Sequence, residues 1–146
     1  MLIKNDEKFV YEDYLIKFSM PIITPVMLIQ GDTATGKTYL LKRLKLAQKN
    51  FSVVSDEISC NYDLSKFYVV LTKDELESVY KYTNSIIFID RFDIFADKRL
   101  IDFINTGTNI FVLMYRNTVF GIPVTVNSYL DLWCKEEGNK FIFEAI

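Results

Sequence analysis

Gly31, Asp32, Thr33, Ala34, Thr35, Gly36, Lys37 and Thr38 form the one stretch of this chain whose residue types and spacing prescribe a chemistry. They fit G-x-x-x-x-G-K-[ST] at every position. The glycines let the backbone curl until successive N–H groups point inward at phosphate oxygens. The lysine sets a point charge near the β- and γ-phosphates, and the closing hydroxyl can ligate Mg²⁺. The flanks suit that role. Val26 to Gln30 is a short apolar run, which predicts a buried parallel strand. Tyr39 to Ala47 reads as a helix with Leu40, Leu44 and Ala47 on one face. Strand, loop and helix in that order turn a helix N-terminus toward the phosphates, where dipole and unpaired N–H groups favour an anion. The expected phosphate-contacting stretch runs from Gly31 through Tyr39.

A second element completes the chemistry. Ser85 to Ile89 is the clearest buried strand of the chain, and it ends in Asp90. A carboxylate there can hold Mg²⁺, usually through water, opposite Thr38.

The rest of the composition narrows the classes. A length of 146 residues suits one domain with a real core. Half the residues are hydrophobic, which argues against disorder, and a net charge of −2 supplies no global field for nucleic acid or anionic membrane. Histidine is absent, which removes Ser-His-Asp and Cys-His catalysis. Cys60 and Cys134 match no zinc or C-x-x-C spacing and read as reduced thiols. Met1 to Lys8 is too charged for a secretory signal, and no run of about 18 apolar residues is available to span a membrane. The expectation is a soluble, cytoplasmic protein without membrane contact.

Positioning these residues requires an alternation of strands and helices. Residues 1–25 form a charged, aromatic lead-in punctuated by Pro21 and Pro25, with a strand or a short helix within Phe9 to Phe18. Core packing is the expected role of its aromatics. The first helix should end near Lys49 and Asn50. Phe51 to Ser55 then reads as a strand that delivers Asp56 and Glu57 at its carboxyl end, and Phe67 to Val70 as a further short strand. Thr72 to Glu75 is a capping box opening a helix with Leu76, Val79 and Tyr80 inward. Asp97 to Asn105 should be helical and stop at Gly107, and Asn109 to Tyr115 should be a strand delivering Arg116 and Asn117. In the tail, Tyr129 to Lys135 and Lys140 to Ile146 flank a turn-like Glu136 to Asn139. This is either a C-terminal β-hairpin or a helix followed by a strand. The pattern predicts an α/β fold, a three-layer sandwich around a mainly parallel central sheet, with its active edge at the strands' carboxyl ends.

On Gly31 to Thr38 and Ile86 to Asp90, the chain resembles the P-loop NTPases, the first stretch being a Walker A motif and the second a Walker B motif. It looks most like the division with additional strands between the two motifs, which includes AAA-type and RecA-like ATPases. Element order carries the likeness over residues 26–117, the nucleotide-binding core of a single domain, with 118–146 as a C-terminal strand segment. The resemblance implies binding of ATP with Mg²⁺ and, commonly, hydrolysis, with Lys37, Asp90 and a glutamate as the catalytic set and Thr38 and Asp90 at the metal. AAA-type members usually follow the Walker B aspartate with that glutamate, whereas this chain has Arg91. RecA-like members can place it after the second strand, which points to Glu57 (or Asp56), with Asp93 second. Arg116 or Asn117 resembles a γ-phosphate sensor. The resemblance also implies a helical lid in many AAA-type members, but the residues after Asn117 are too few and too strand-like for one. Either the lid is absent, or another chain, a protein partner or a second copy, closes over the nucleotide and could supply an arginine finger. The absence of N-K-x-D favours ATP over GTP.

Three other readings compete. Ile89-Asp90-Arg91-Phe92 resembles the D-R-[YF] step of thymidylate-kinase-like enzymes, so a small nucleoside or nucleotide kinase is the alternative, with Asp56 as base. Lys42, Arg43, Lys45 and Lys49 invite a nucleic-acid partner, but on a helix they read as an ordinary solvated face without a recognised binding motif. A non-catalytic protein that keeps the fold is the remaining option.

Overall fold

The computed structural model describes residues 7–30, 36–54 and 58–146, and every structural statement below concerns these residues. Two five-stranded sheets organise them. The chain opens with β1 (Lys8–Glu12) and β2 (Ile16–Pro21), an antiparallel hairpin, and continues into β3 (Val26–Gln30). Helix α1 (Lys37–Val54) follows, then the two-residue β4 (Ser59–Cys60) and β5 (Phe67–Val70). Next come α2 (Lys73–Leu76), β6 (Ile86–Ile89), α3 (Phe92–Phe95), α4 (Lys98–Thr106) and β7 (Ile110–Tyr115). The tail holds β8 (Tyr129–Leu130), β9 (Leu132–Glu137) and β10 (Lys140–Ala145).

One sheet has the order β5-β6-β7-β3-β8, and each of its pairings is parallel. Its central strands β6 and β7 are buried along their whole length, the continuous apolar pattern of a sheet covered on both faces. The chain is therefore mixed α/β with an all-parallel sheet, as the alternating pattern required. On one face Leu76, Val79, Phe92, Leu100 and Ile104 from α2 to α4 pack on Leu28, Ile87, Ile89, Phe111 and Leu113. On the other face, Leu40, Leu41, Leu44 and Ala47 of α1 pack on the sheet beside a second sheet.

That second sheet, of order β4-β1-β2-β10-β9, is the part the sequence pattern did not announce. Strand β10 runs parallel to β2 and antiparallel to β9, so the lead-in and the tail knit into one layer. The hairpin alternative for the tail is the one that forms, with Gly138 at φ +63° in its turn. The inner face of this layer meets the parallel sheet through aromatic rings. Phe88 lies 5.4 Å from Phe9, and Phe67 lies 5.9 Å from Phe9, centroid to centroid, in edge-on contacts. Burying one such ring contributes about 1.5–3 kcal/mol.

The strand expected over Phe51 to Ser55 does not form. Residues 51–54 are the last turn of α1, and Ser55 lies outside the described residues. β-branched residues cost a helix only a few tenths of a kcal/mol each, while extending an existing helix adds one hydrogen bond per residue fixed. The reading of α1's basic residues as a solvated face is corrected for Arg43 and Lys45, while Lys42 is exposed. Arg43 donates from Nη2 to Asp13 Oδ2 at 2.9 Å, with side chains 16% and 3% exposed. Lys45 pairs with Glu75 and donates to the Val69 carbonyl at 2.7 Å. Gln48 Oε1 accepts from Val69 N at 2.9 Å. Side chains of α1 thus occupy the open edge of β5, which would otherwise present unpaired backbone groups. Gly107 does end α4, but at φ −83°; a side chain there would approach the Phe103 carbonyl oxygen to 2.9 Å, so the glycine answers a close approach.

Asp13 anchors the β1–β2 turn. It accepts from the backbone N–H of Leu15 and Ile16, from Tyr11 Oη at 2.7 Å and from Arg43. Burial alone would push this carboxyl up, but the bonds from Tyr11, Ile16, Leu15 and Arg43 outweigh it and hold the group below the usual carboxylate range. The same burial, with Asp13 as acceptor, pushes the Tyr11 phenol far up, so it remains a donor. No helix of the described residues is long and apolar enough to cross a membrane.

Candidate functional site

The carboxyl ends of β3, β6 and β7 lie side by side, because β7 sits between the strand that precedes the glycine-rich stretch and the strand that ends in Asp90. Connections leave this edge toward opposite faces, α1 to one and α3 with α4 to the other, and that opens a crevice of the kind in which α/β sheets bind ligands. A cavity of about 560 Å³ occupies it, lined among others by Lys37, Thr38, Lys42, Asp90, Arg91 and Arg116.

The sequence-derived residues fall as follows. Gly31, Asp32, Thr33, Ala34 and Thr35 lie outside the described residues, as do Asp56 and Glu57. With residues 51–54 helical, the strand that was to deliver Glu57 is absent, so its case rests on its residue type alone. Gly36 precedes α1 at φ +80°, a left-handed conformation that suits glycine. Lys37 and Thr38 are the first residues of the helix and reach the cavity; Lys37 is 7% exposed. Asp90 is 8% exposed. Its N–H continues the β5–β6 ladder to the Val70 carbonyl, and its Oδ1 accepts from Arg91 N at 2.9 Å. No described residue donates to its Oδ2. A carboxylate and a threonine hydroxyl on residues that line one cavity are a donor set that fits a hard cation such as Mg²⁺, completed by water and ligand oxygens.

The remaining candidates are already engaged. Asp93 Oδ1 accepts from Arg116 N at 3.3 Å, and its Oδ2 accepts from the backbone and side-chain nitrogens of Asn117 at 3.2 Å each. Asp93 therefore fixes the end of β7 and is not a free base; Asn117 spends its amide on it. Arg116 lines the cavity, and its carbonyl accepts from Gln30 Nε2 at 3.1 Å, tying β7 to β3. Arg91 stands where the resemblance would have a glutamate. It has φ +50°, an uncommon conformation for a non-glycine residue, and donates from Nη2 to the Leu71 carbonyl at 3.1 Å.

Sequence reasoning missed two contributors. Lys42, set aside with the basic helical face, lies four residues after Thr38 and lines the same cavity. Phe143, from the far end of the chain, reaches Gly36; a Cβ on Gly36 would lie 3.0 Å from its ring. Helical spacing could have found Lys42, but no local signal reports Phe143. Four cationic side chains (Lys37, Lys42, Arg91 and Arg116) thus face two carboxylates, a balance that attracts anions. Gly36→Ala should lose about 2 kcal/mol of stability, because the left-handed conformation and the buried Phe143 ring both oppose a methyl group. Urea denaturation measures this, and a wild-type midpoint would contradict it.

Comparisons with protein-family models, with curated proteins and with solved structures find no significant match to this chain.

Proposed function

We propose that the chain is a compact P-loop module that binds Mg²⁺ and ATP and hydrolyses the nucleotide slowly at most, acting with a protein partner or a second copy. The observation that carries this reading is the convergence of Lys37, Thr38 and Asp90 on one cavity at the carboxyl edge of a parallel sheet. These residues come from segments about fifty positions apart, and the sequence pattern nominated each of them for the same triphosphate. Strand β5 falls between the two motifs in the sequence, and β7 lies between β3 and β6 in the sheet. Both support the additional-strand division, although the strand expected over Phe51 to Ser55 does not form. The N- and C-terminal strands share a layer with α1, which supports a three-layer P-loop arrangement. In this reading the amides from Gly31 to Tyr39 wrap the phosphates, Lys37 neutralises the β- and γ-phosphates, and Thr38 and Asp90 hold the cation.

Slow turnover follows from the same residues. Asp93 is engaged by backbone and side-chain nitrogens of Arg116 and Asn117, and Arg91 replaces the usual glutamate. An arginine finger supplied in trans raises such rates about 10³–10⁵-fold. Asp90→Asn preserves the acceptor for Arg91 N while removing the charge, so it should abolish the Mg²⁺ dependence of ATP affinity. Titration with and without EDTA tests this. An Asp90→Asn protein that still binds ATP better with Mg²⁺ would remove the carboxylate from the metal site.

One observation favours the kinase alternative: Arg91 and Arg116 both line the cavity, where an acceptor phosphate could lie. Labelled ATP with a panel of nucleosides and nucleotides decides between the two. Transfer to any acceptor would establish the kinase.

A further inference from the structure

Tyr39 directly follows the cavity residues Lys37 and Thr38 but does not line the cavity. Its ring packs instead on the C-terminal hairpin, edge-on to Phe141 at 5.6 Å and tilted over Phe143 at 6.3 Å. Phe143 is buried and supports Gly36 from below. Tyr39 and Phe141 are each 38% exposed, so an aromatic surface remains open beside the first turn of α1. The helix start therefore has two unlike sides. Toward the strand ends lie cations and the Asp90 carboxylate; toward β10 lie uncharged rings.

We propose that Tyr39 and Phe141, set edge to face, form an aromatic platform for the base of the bound nucleotide, one ring stacking on the base and the other closing against its edge, which makes the C-terminal hairpin part of the ligand site. This rests on the nucleotide reading above and extends it to the end of the ligand away from Asp90. A triphosphate whose γ-end points to Asp90 and Arg116 leads its α-phosphate back along Gly36 to Tyr39, and the nucleoside then emerges over the open rings. Continuity is the argument for the occupant: the apolar surface begins at the residue where the phosphate-binding stretch ends. Every base has a π-face, so the platform supplies affinity while tolerating different bases.

The test compares Mg²⁺–ATP with Mg²⁺–tripolyphosphate, which has the phosphate chain and no base. Calorimetry is run on wild type, Phe141→Leu and Tyr39→Leu, which keep apolar bulk and remove the π-face. Wild type should bind ATP about tenfold more tightly than tripolyphosphate, the order expected of one base–aromatic stack. Each variant should lose most of that difference, and Phe141→Leu, which lies outside the phosphate-binding stretch, should bind tripolyphosphate within about twofold of wild type. Near-UV circular dichroism matching wild type verifies that the variants fold. Wild-type ATP affinity in both folded variants, or equal affinity of wild type for the two ligands, overturns the platform while leaving the phosphate site standing. Wild type that binds neither ligand overturns both.

Discussion

Lys37→Ala should lower the affinity for Mg²⁺–ATP by about 10- to 150-fold, the loss expected for hydrogen bonds to a charged group. The effect on stability should be smaller. Lys37 is the first residue of α1, where the helix dipole disfavours a cation, and alanine is the better helix former. Stability of the variant should therefore fall by less than the binding free energy does, although the lysine is buried and engaged. Binding lost more than stability is the signature of a residue placed for a ligand, since a buried structural lysine would show the reverse. Equilibrium titration together with urea denaturation separates the two outcomes. Wild-type ATP affinity in Lys37→Ala would withdraw the residue from the site.

Asp13→Ala should have the largest effect on stability, a loss of about 3–5 kcal/mol. The substitution leaves Arg43 without its carboxylate and removes acceptors from Tyr11, Leu15 and Ile16 at one turn. Arg43 already holds one buried nitrogen, Nε, without a partner, so it has little capacity to re-pair. Asp13→Ala combined with Arg43→Met should cost less than the sum of the single changes, because the unpaired guanidinium goes with the pair. The pH dependence has a definite sign. The folded Asp13 titrates below the ordinary 3.8, so its contribution is fully present above about pH 4 and fades as pH falls toward the folded value. Chemical denaturation between pH 3 and 6 should show a steeper acid loss in wild type than in Asp13→Asn. Parallel curves would contradict the assignment.

Much of the parallel sheet was legible, because buried strands write themselves as unbroken apolar runs. Val26 to Gln30 and Phe67 to Val70 have the predicted bounds, and the runs ending at Ile89 and Tyr115 differ only at their first residue. The capping box was equally direct: Thr72 accepts from Glu75 N. Phe51 to Val54 misled because local β-propensity is weak against the continuation of a formed helix. The second sheet hid for another reason. Ile16, Phe18 and Met20 do alternate with Lys17 and Ser19, a strand signal present in the sequence, but their parallel partner Phe141 to Glu144 lies more than a hundred residues away. Propensity names strands and does not pair them. For the same reason the contact of Phe143 with Gly36 was invisible, whereas Lys37, Thr38 and Asp90 could be nominated because motif spacing encodes their chemistry locally.

Calorimetry of the wild-type protein with a non-hydrolysable ATP analogue, with Mg²⁺ and again with EDTA, tests the phosphate and metal site most directly. Saturable one-to-one association that weakens at least about tenfold when the cation is chelated is the expected result. No association at millimolar nucleotide, or an affinity indifferent to Mg²⁺, would contradict the assignment of Lys37, Thr38 and Asp90 to a triphosphate.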